Sequence, residues 1–398
     1  MYENNYSKDF ATLCRNKAKE RYKINEIDDM HERTESEISN AINAGSPLLF
    51  LVAHEVINYC KTKNIPYGCG YSSRFHLLAY YLGITEVNPL PIHYECSCGH
   101  FEWVAGSYRH GRWKEYNNLY SDGFDLPDEE CPLCKKAMHG NGHDICECGI
   151  AAHTINIPVK ACFKDEIITH LKDVFGESDF EKCLNNSKKS GTLTLSDYTP
   201  LLPLDVLDKA TDTKYNITKI YDAFYPDEES MFQNTYLENK FLNMHIDFYM
   251  MQKATCFSEF VCRIGISKFS SELTFYAYKE LLRCLNYPLS SFYCNKDNIN
   301  HIPYCIDNLV NKLKKSGFQN ENIKNILNSE KQTAKKPSEL FLEYSDSEYF
   351  EKWFAELLDI NNLMWDKQSL IAEAIERYKT VYFIEEHYSE FNNWLTKR

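Results

Sequence analysis

The sequence predicts an α+β chain with a small metal-organised insert. Three observations carry that prediction. Six of the 16 cysteines crowd between Cys96 and Cys148, in a Gly-rich segment with no helical or strand period. The stretch "TINIPVKACF" (154–163) alternates apolar and polar residues as a half-buried strand does. From about residue 216 to the end the chain is mainly helical in pattern, with no comparable strand.

The elements follow in order. "DDMHERTESEISNAINAGSPLLFLVAHEVINYCKTKNIP" reads as two helices broken at "AGSP", with Asp28 or Asp29 as N-cap and Gly45 as the stop. Leu48, Leu49, Val52, Val56 and Ile57 set the apolar period of the second helix. Residues 91–150 form the irregular insert. After the strand at 154–163, "EIITHLKDVFG" reads as a helix ended by Gly176. The polar "NNSKKSGT" (185–192) precedes a second strand predicted near "LPLDVL" (202–207), and the chain passes from "FGESDF" to "LTLSDYTPLL" in a short linker. The chain closes on the helical "SLIAEAIERYKTVYFIEEHY" (369–388).

Bulk properties narrow the function classes. A chain of 398 residues has room for two or three domains with real cores. No apolar run is long enough to span a bilayer. The N-terminal "MYENNYSKDF" has no secretory pattern, so a soluble cytoplasmic protein without a membrane partner is expected. Ten cysteines lie singly, as at Cys14, Cys60, Cys183 and Cys284, and read as small buried hydrophobes in a reducing compartment. A net charge of −13 disfavours general nucleic-acid binding, which rests on Lys and Arg displacing counterions. One local basic strip stands out, "NKLKKSG" (311–317) with "KQTAKK" (331–336), and it reads first as a solvated helix face and loop.

The clustered cysteines suit zinc. Zinc takes four tetrahedral ligands, and a C-x-x-C turn offers two thiolates from one tight loop. Cys131-Pro-Leu-Cys134 has that spacing, and Cys96-Ser-Cys98 is a shorter bite that completes a four-thiolate set. His93, His100, Cys146 and Cys148 are rival ligands. A closed four-cysteine site leaves no position for water, so the expected role is structural.

"GITEVNPLPIHYECSCGHF" (83–101) and "SDGFDLPDEECPLCKKAMHGNGHDI" (121–145) closely resemble the zinc-bearing palm region of PolC-type DNA polymerase III α subunits, the C-family replicative polymerases of bacteria. The likeness extends to "NKAKERY" (16–22), "HLKDVFGESDF" (170–180), "PLDVLDKATDTKYNITKIYDAFYPDEESMF" (203–232), "TCFSEFVCRIGIS" (255–267) and "MWDKQSLIAEAIERYKTVYFIEEHY" (364–388). It implies a reduced C-family polymerase-like palm with a zinc-binding insert, followed by a mostly helical fingers-like domain. The implied boundaries are 1–90 for the helical N-terminal part of the palm-like domain, 91–150 for the insert, 151–215 for a reduced palm sheet and 216–398 for the fingers-like domain. The family's large N-terminal processing domains and C-terminal DNA- and clamp-binding modules are not represented.

The resemblance also implies where chemistry would sit. Polymerases join nucleotides with two metal ions held by carboxylates. Two of those positions fall on Thr154 and Asn156, and only the third keeps its acid, Asp205. Neutral oxygens would hold Mg²⁺ poorly, because that ion sheds its water reluctantly. The family's phosphate-cradling Gly/Ser stretch is replaced by "GCGYSSRFHLL" (68–78), where Arg74 stands nearest to its arginine, and a further palm segment has no counterpart. Lys367 remains in the fingers helix, whereas the histidine two residues on is Ser369. His153 reads as a packed surface histidine. The expected function is therefore that of a catalytically inactive PolC-like pseudo-polymerase acting by binding in DNA replication, as regulator, decoy or inhibitor. The expected partner is a protein of the replication machinery, with primed or single-stranded DNA as the other possibility. The alternatives are a minimal DNA polymerase using magnesium, Asp205 and further carboxylates such as Asp208, Asp165 or Glu166, or a zinc-stabilised nucleic-acid-binding module.

Overall fold

Gly45 sits in the left-handed region at φ 71°, and the helix before it stops there. Ser46 and Pro47 then start the next helix, with proline in the first turn where its missing N–H costs nothing. This break separates α2 (Asp28–Asn43) from α3 (Pro47–Lys63), as the "AGSP" signal predicts, and α1 (Glu3–Tyr22) precedes them. The structure is a computed structural model that describes residues 3–22, 28–104, 122–145, 153–184, 191–197, 256–269, 272–274, 277, 303–329, 335–344 and 352–386. They group into two compact units, one of Met1–Asn117, Asp122–Tyr215 and Ile375–Arg398 and one of Asn118–Ser121 and Asn216–Ala374.

In the first unit α3 is the central helix. Leu49, Phe50, Val52, Ala53, Val56, Ile57 and Cys60 are buried at helical spacing, whereas Leu48 is only half-buried. α3 packs against α1, α5 (Lys164–Phe175), α6 (Glu177–Leu184) and a small sheet. That sheet has the order β1 (Tyr71–Ser72), β6 (Thr154–Val159), β7 (Thr192–Asp197). β1 runs antiparallel to β6, and β6 runs parallel to β7 over their whole length. A parallel pair needs a crossover, and α5 and α6 lie between the two strands in sequence. Gly176 ends α5, as predicted.

β7 lies just after the predicted linker, in a stretch for which the sequence predicts no element. Leu193 and Leu195 alternate with Thr192, Thr194 and Ser196, a period of two that small hydroxyl residues make look like polar loop. The strand predicted at 202–207 lies outside the described residues, as does Asp205. Gly70, at the entry to β1, has no room for a side chain. A Cβ there would stand 2.4 Å from the Ile84 carbonyl oxygen and 2.8 Å from that of Asn156.

α4 (His76–Tyr81) leads into the insert, and its first N–H groups meet a buried carboxylate. Glu37 of α2 accepts from Leu77 N at 3.0 Å and Leu78 N at 3.2 Å, and Arg33 pairs with it from one helical turn before. The insert is a four-stranded antiparallel sheet in the order β3 (Phe101–Trp103), β2 (His93–Glu95), β5 (Ala137–Asn141), β4 (Glu129–Glu130).

In the second unit every described element is helical, as the sequence predicts for this part. Every residue of α7 (Phe257–Ser267) is buried, and Glu259 and Arg263 face each other one turn apart at 3.7 Å. α8 (Ile306–Lys315), α9 (Asn320–Leu327), α10 (Pro337–Tyr344) and α11 (Lys352–Asp359) pack in succession. α12 (Lys367–Glu386) belongs to the second unit up to Ala374 and to the first from Ile375 on. Among the described residues no helix is long and apolar enough to cross a membrane.

His153 corrects the sequence expectation of a surface histidine. It is only 5% exposed, lies against the rings of Phe50 and Phe75, and hydrogen-bonds to Ser46 Oγ through Nδ1 and Ser72 Oγ through Nε2. Burial, with Arg74 and His76 nearby, pushes its pKa down to about 3. A histidine held neutral in the fold takes up its proton more readily when unfolded, so its stabilising contribution is complete above about pH 6.5 and is lost as pH falls toward 3. Denaturant midpoints measured from pH 7 to pH 4 should therefore fall, with this group contributing up to about 1.4 kcal/mol per pH unit. His153→Gln should flatten that slope.

Candidate functional site

Two hairpin tips build the candidate metal centre. β2 and β3 are joined by "CSCGH" (96–100), and β4 and β5 by "CPLCKK" (131–136). In the first tip Gly99 takes φ 93°, its N–H donates to Cys96 O, and Cys96 N–H donates to His100 O. In the second, Lys135 takes φ 61°, its N–H donates to Cys131 O, and Cys131 N–H donates to Lys136 O. The pairing of β2 with β5 sets the tips side by side.

The outcome is a four-thiol cluster of Cys96, Cys98, Cys131 and Cys134, whose sulfur atoms all lie within 4.8 Å of one another. Cys96 Sγ is 3.4 Å from Cys134 Sγ, and Cys98 Sγ is 3.7 Å from Cys131 Sγ. Four thiolates about 2.3 Å from a tetrahedral ion would stand about 3.8 Å apart. The short C-x-C bite therefore delivers both of its sulfurs. None of the described cysteines is disulfide-bonded.

Backbone N–H groups aimed at two of the sulfurs, those of Cys96 and Cys131, favour the thiolate there. The N–H of Cys98 and the neighbouring thiols outweigh desolvation and hold Cys96 down to about 7. Desolvation raises Cys131, yet the N–H groups of Cys134 and Leu133 bring it below its ordinary value. At Cys98 the N–H of His100 opposes desolvation and the three other thiols, which together push it up to about 12. A metal cation would replace that retained proton, since thiolates are the ligand form. The donor set and its spacing fit a closed structural metal site.

The rival histidines are placed elsewhere. His93 is fully buried, its Nδ1–H donating to Pro91 O at 2.7 Å and its Nε2 accepting from Asn88 at 3.3 Å. Burial lowers its pKa to about 4. His100 pairs with Glu102 at 2.8 Å. Cys146 and Cys148 lie outside the described residues. One supporting pair went unread in the sequence. His143 and Asp122 meet at 2.7 Å with both side chains buried, while Asp122 also accepts from Phe124 N. They sit at the ends of "SDGFDLP" and "GHDI", the segments that carry the resemblance.

The second candidate surface is the outer face of the small sheet. Ile155, Ile157 and Val159 point into the core, so the period of two turns Thr154 and Asn156 to the opposite face. Cross-strand pairing adds Tyr71 beside Asn156 from β1, with Thr192 beside Thr154 and Thr194 beside Asn156 from β7. Ser73 Oγ accepts the Thr154 N–H at 2.7 Å, and Asn156 Nδ2 donates to Ser196 Oγ at 3.1 Å. This face presents hydroxyls and an amide, and no carboxylate stands at these paired positions. Two side chains two residues apart on one strand face would suit a shared metal pair if they were acids. Here both are neutral.

Arg74 and Lys367 lie in different units. Arg74 is exposed, with its guanidinium 5.2 Å from the Phe75 ring. Lys367 begins α12, and its backbone N–H donates to Asp307 at 2.7 Å, so a helix-capping arrangement surrounds it. Asp165 and Glu166 open α5 beside α3, where Glu166 accepts from Tyr59 OH of that helix at 2.7 Å.

The metal centre gives a direct expectation. Cys131→Ser should abolish metal in the purified protein, as read by elemental analysis, and lower its melting temperature. Structural zinc in small peptides contributes on the order of 10 kcal/mol. His100→Ala should keep full metal content, because its ring faces Glu102.

Residues 8–189, a little under half of the chain, match the family model described as the bacterial DNA polymerase III alpha NTPase domain. The chain is 37% identical over 117 residues to the PolC-type DNA polymerase III of Thermotoga petrophila, covering 29% of this chain and 8% of that protein. It is 31% identical over 180 residues to that of Lacticaseibacillus paracasei, covering 43% of this chain and 11% of the relative. With the enzyme of Lactococcus lactis subsp. lactis the identity is 30% over 157 residues, or 38% of this chain and 9% of the relative. The matched segments thus span about a tenth of the length of these relatives. Over that region, which holds the four-thiol cluster, the chain carries a domain similar to that of PolC-type DNA polymerase III α subunits.

Proposed function

We propose that this chain is a catalytically silent PolC-like protein, with a palm-like first unit, a structural zinc on Cys96, Cys98, Cys131 and Cys134, and a role exercised by binding in DNA replication. One observation carries the reading. Thr154 and Asn156 occupy the outer face of β6, the positions that the resemblance gives to two metal-binding aspartates. Two-metal phosphoryl transfer depends on metals and positioning to stabilise developing charge. Removing one preorganised electrostatic contact commonly costs a hundredfold or more in rate. Neutral Thr and Asn remove two charges at once, and Mg²⁺ gains little from such donors.

The role of zinc in this reading is to fold the insert. All four ligands are thiolates, so no open coordination position remains for substrate or water. The partner we favour is a protein of the replication machinery, because a chain of net charge −13 repels bare DNA overall. Regulation, decoy binding and inhibition are the roles open to such a protein.

Primer extension tests the reading. The full chain should incorporate no nucleotide on a primed template with Mg²⁺ or Mn²⁺. Thr154→Asp combined with Asn156→Asp should not restore it. Extension by the unmodified protein, abolished by Asp205→Ala, would instead establish a minimal polymerase whose carboxylates lie on other residues.

A further inference from the structure

The four sulfurs of the candidate metal centre are unequally sheltered. Cys131 and Cys96 are buried, at 0% and 9% exposure, and Cys134 is half-buried, whereas Cys98 is exposed. The asymmetry follows the two turns. Cys131 and Cys134 close a C-x-x-C turn, but Cys96-Ser97-Cys98 is one residue shorter, and its second cysteine stands in solvent beside the exposed Ser97. Cys162 is the other exposed cysteine among the described residues, and it belongs to no such cluster there.

Each sulfur of one tip has a close neighbour in the other. Cys98 Sγ is 3.7 Å from Cys131 Sγ, and Cys96 Sγ is 3.4 Å from Cys134 Sγ. A disulfide bond is about 2.05 Å long, so a movement of less than about 2 Å closes either pair. Each such bond would join cysteines 33 or 38 residues apart in sequence, across the two tips. A metal ligand is held as thiolate, which is also the form that attacks oxidants. An exposed thiolate with a second sulfur at hand is the arrangement that oxidation turns into a disulfide and not into a dead end.

We infer that the four-cysteine centre is a redox switch, in which peroxides exchange its metal for disulfides between the two hairpin tips, starting at Cys98. This rests on the zinc reading proposed above. The Cys98 thiolate attacks one oxygen of hydrogen peroxide, the O–O bond breaks and hydroxide leaves, so Cys98 becomes a sulfenic acid. The Cys131 thiolate then attacks the Cys98 sulfur, the S–O bond breaks, and a second hydroxide leaves as the Cys98–Cys131 disulfide forms. Two electrons pass from the sulfurs to the peroxide oxygens, and two protons from solvent turn the hydroxides into water. Cys96 and Cys134 are then the only thiolates left, too few for a tetrahedral site. A second peroxide joins them by the same steps. The insert keeps a covalent link between its tips in place of the metal, so metal loss by oxidation is separated from unfolding.

The test uses the full chain, purified under reducing conditions, with its zinc measured by elemental analysis. Hydrogen peroxide is then added while a chromogenic chelator reads released metal. Release should be complete, and a thiol reductant with added zinc should restore the metal. Mapping of unreduced peptides should find Cys98 linked to Cys131 before Cys96 is linked to Cys134, and a sulfenic-acid trap should label Cys98 first within the cluster. Cys162→Ser should leave release unchanged. The oxidised, metal-free chain should melt at a higher temperature than reduced chain stripped by chelator, because only the former keeps its tips joined. A reduced chain that carries no zinc would remove the metal reading and this inference with it. A zinc-loaded chain that keeps its metal while Cys162 is fully oxidised would overturn the switch alone and leave the metal site standing. Release that leaves the cluster as sulfinic acids, or linked to Cys146 or Cys148, would also overturn the switch.

Discussion

The alternation of β6 is the constraint on which the first unit depends. A strand one residue out of register would expose Ile155, Ile157 and Val159 and bury Thr154 and Asn156, so the core fixes the register absolutely. Burying three β-branched side chains against α3 is worth roughly 1.5–3 kcal/mol each. The same alternation decides which residues face outward, and so what chemistry the sheet can offer. Packing and function are therefore read from opposite faces of one six-residue strand.

Much of this was legible in the sequence. The break at Gly45-Ser46-Pro47, the strand at Thr154 and the stop at Gly176 all follow from local backbone preferences that tertiary contacts did not override. The four clustered cysteines were legible too as a candidate metal site, because cysteine pairs in tight loops have few other uses in a chain with no disulfide among its described cysteines. What escaped was set by long-range contact. β7 hid among threonines and serines, since only its partner β6 shows that Leu193 and Leu195 face a core. His153 passed for a surface residue because nothing local reveals that Ser46 and Ser72, 107 and 81 residues distant, close over it. His93 competed as a ligand on spacing alone, and its burial against Asn88 and Pro91 removed it.

The two hairpin tips illustrate how a shortened motif can keep its geometry. One residue fewer between Cys96 and Cys98 tightens the turn, and Gly99 absorbs the bend in the left-handed region. Sulfur positions depend on the backbone path after the knuckle as much as on the count of residues within it. A spacing rule alone would have discounted Cys98, whereas its sulfur stands 3.7 Å from that of Cys131.

Arg33 ties two parts of the first unit that the sequence keeps far apart. Its guanidinium donates to the carbonyls of Pro89 at 3.3 Å and Ile145 at 3.1 Å, at the two roots of the insert, while the same group neutralises Glu37 beneath α4. Glu37 is 1% exposed, so it relies on that neighbour to remain charged at low cost. If the insert unravelled, the carbonyls that orient Arg33 would disperse, and the carboxylate capping α4 would lose its counter-charge inside the core. Order at the hairpin tips and order in the helical layer are thus thermodynamically linked, and the first unit should melt in a single cooperative step whose midpoint rises with free metal concentration.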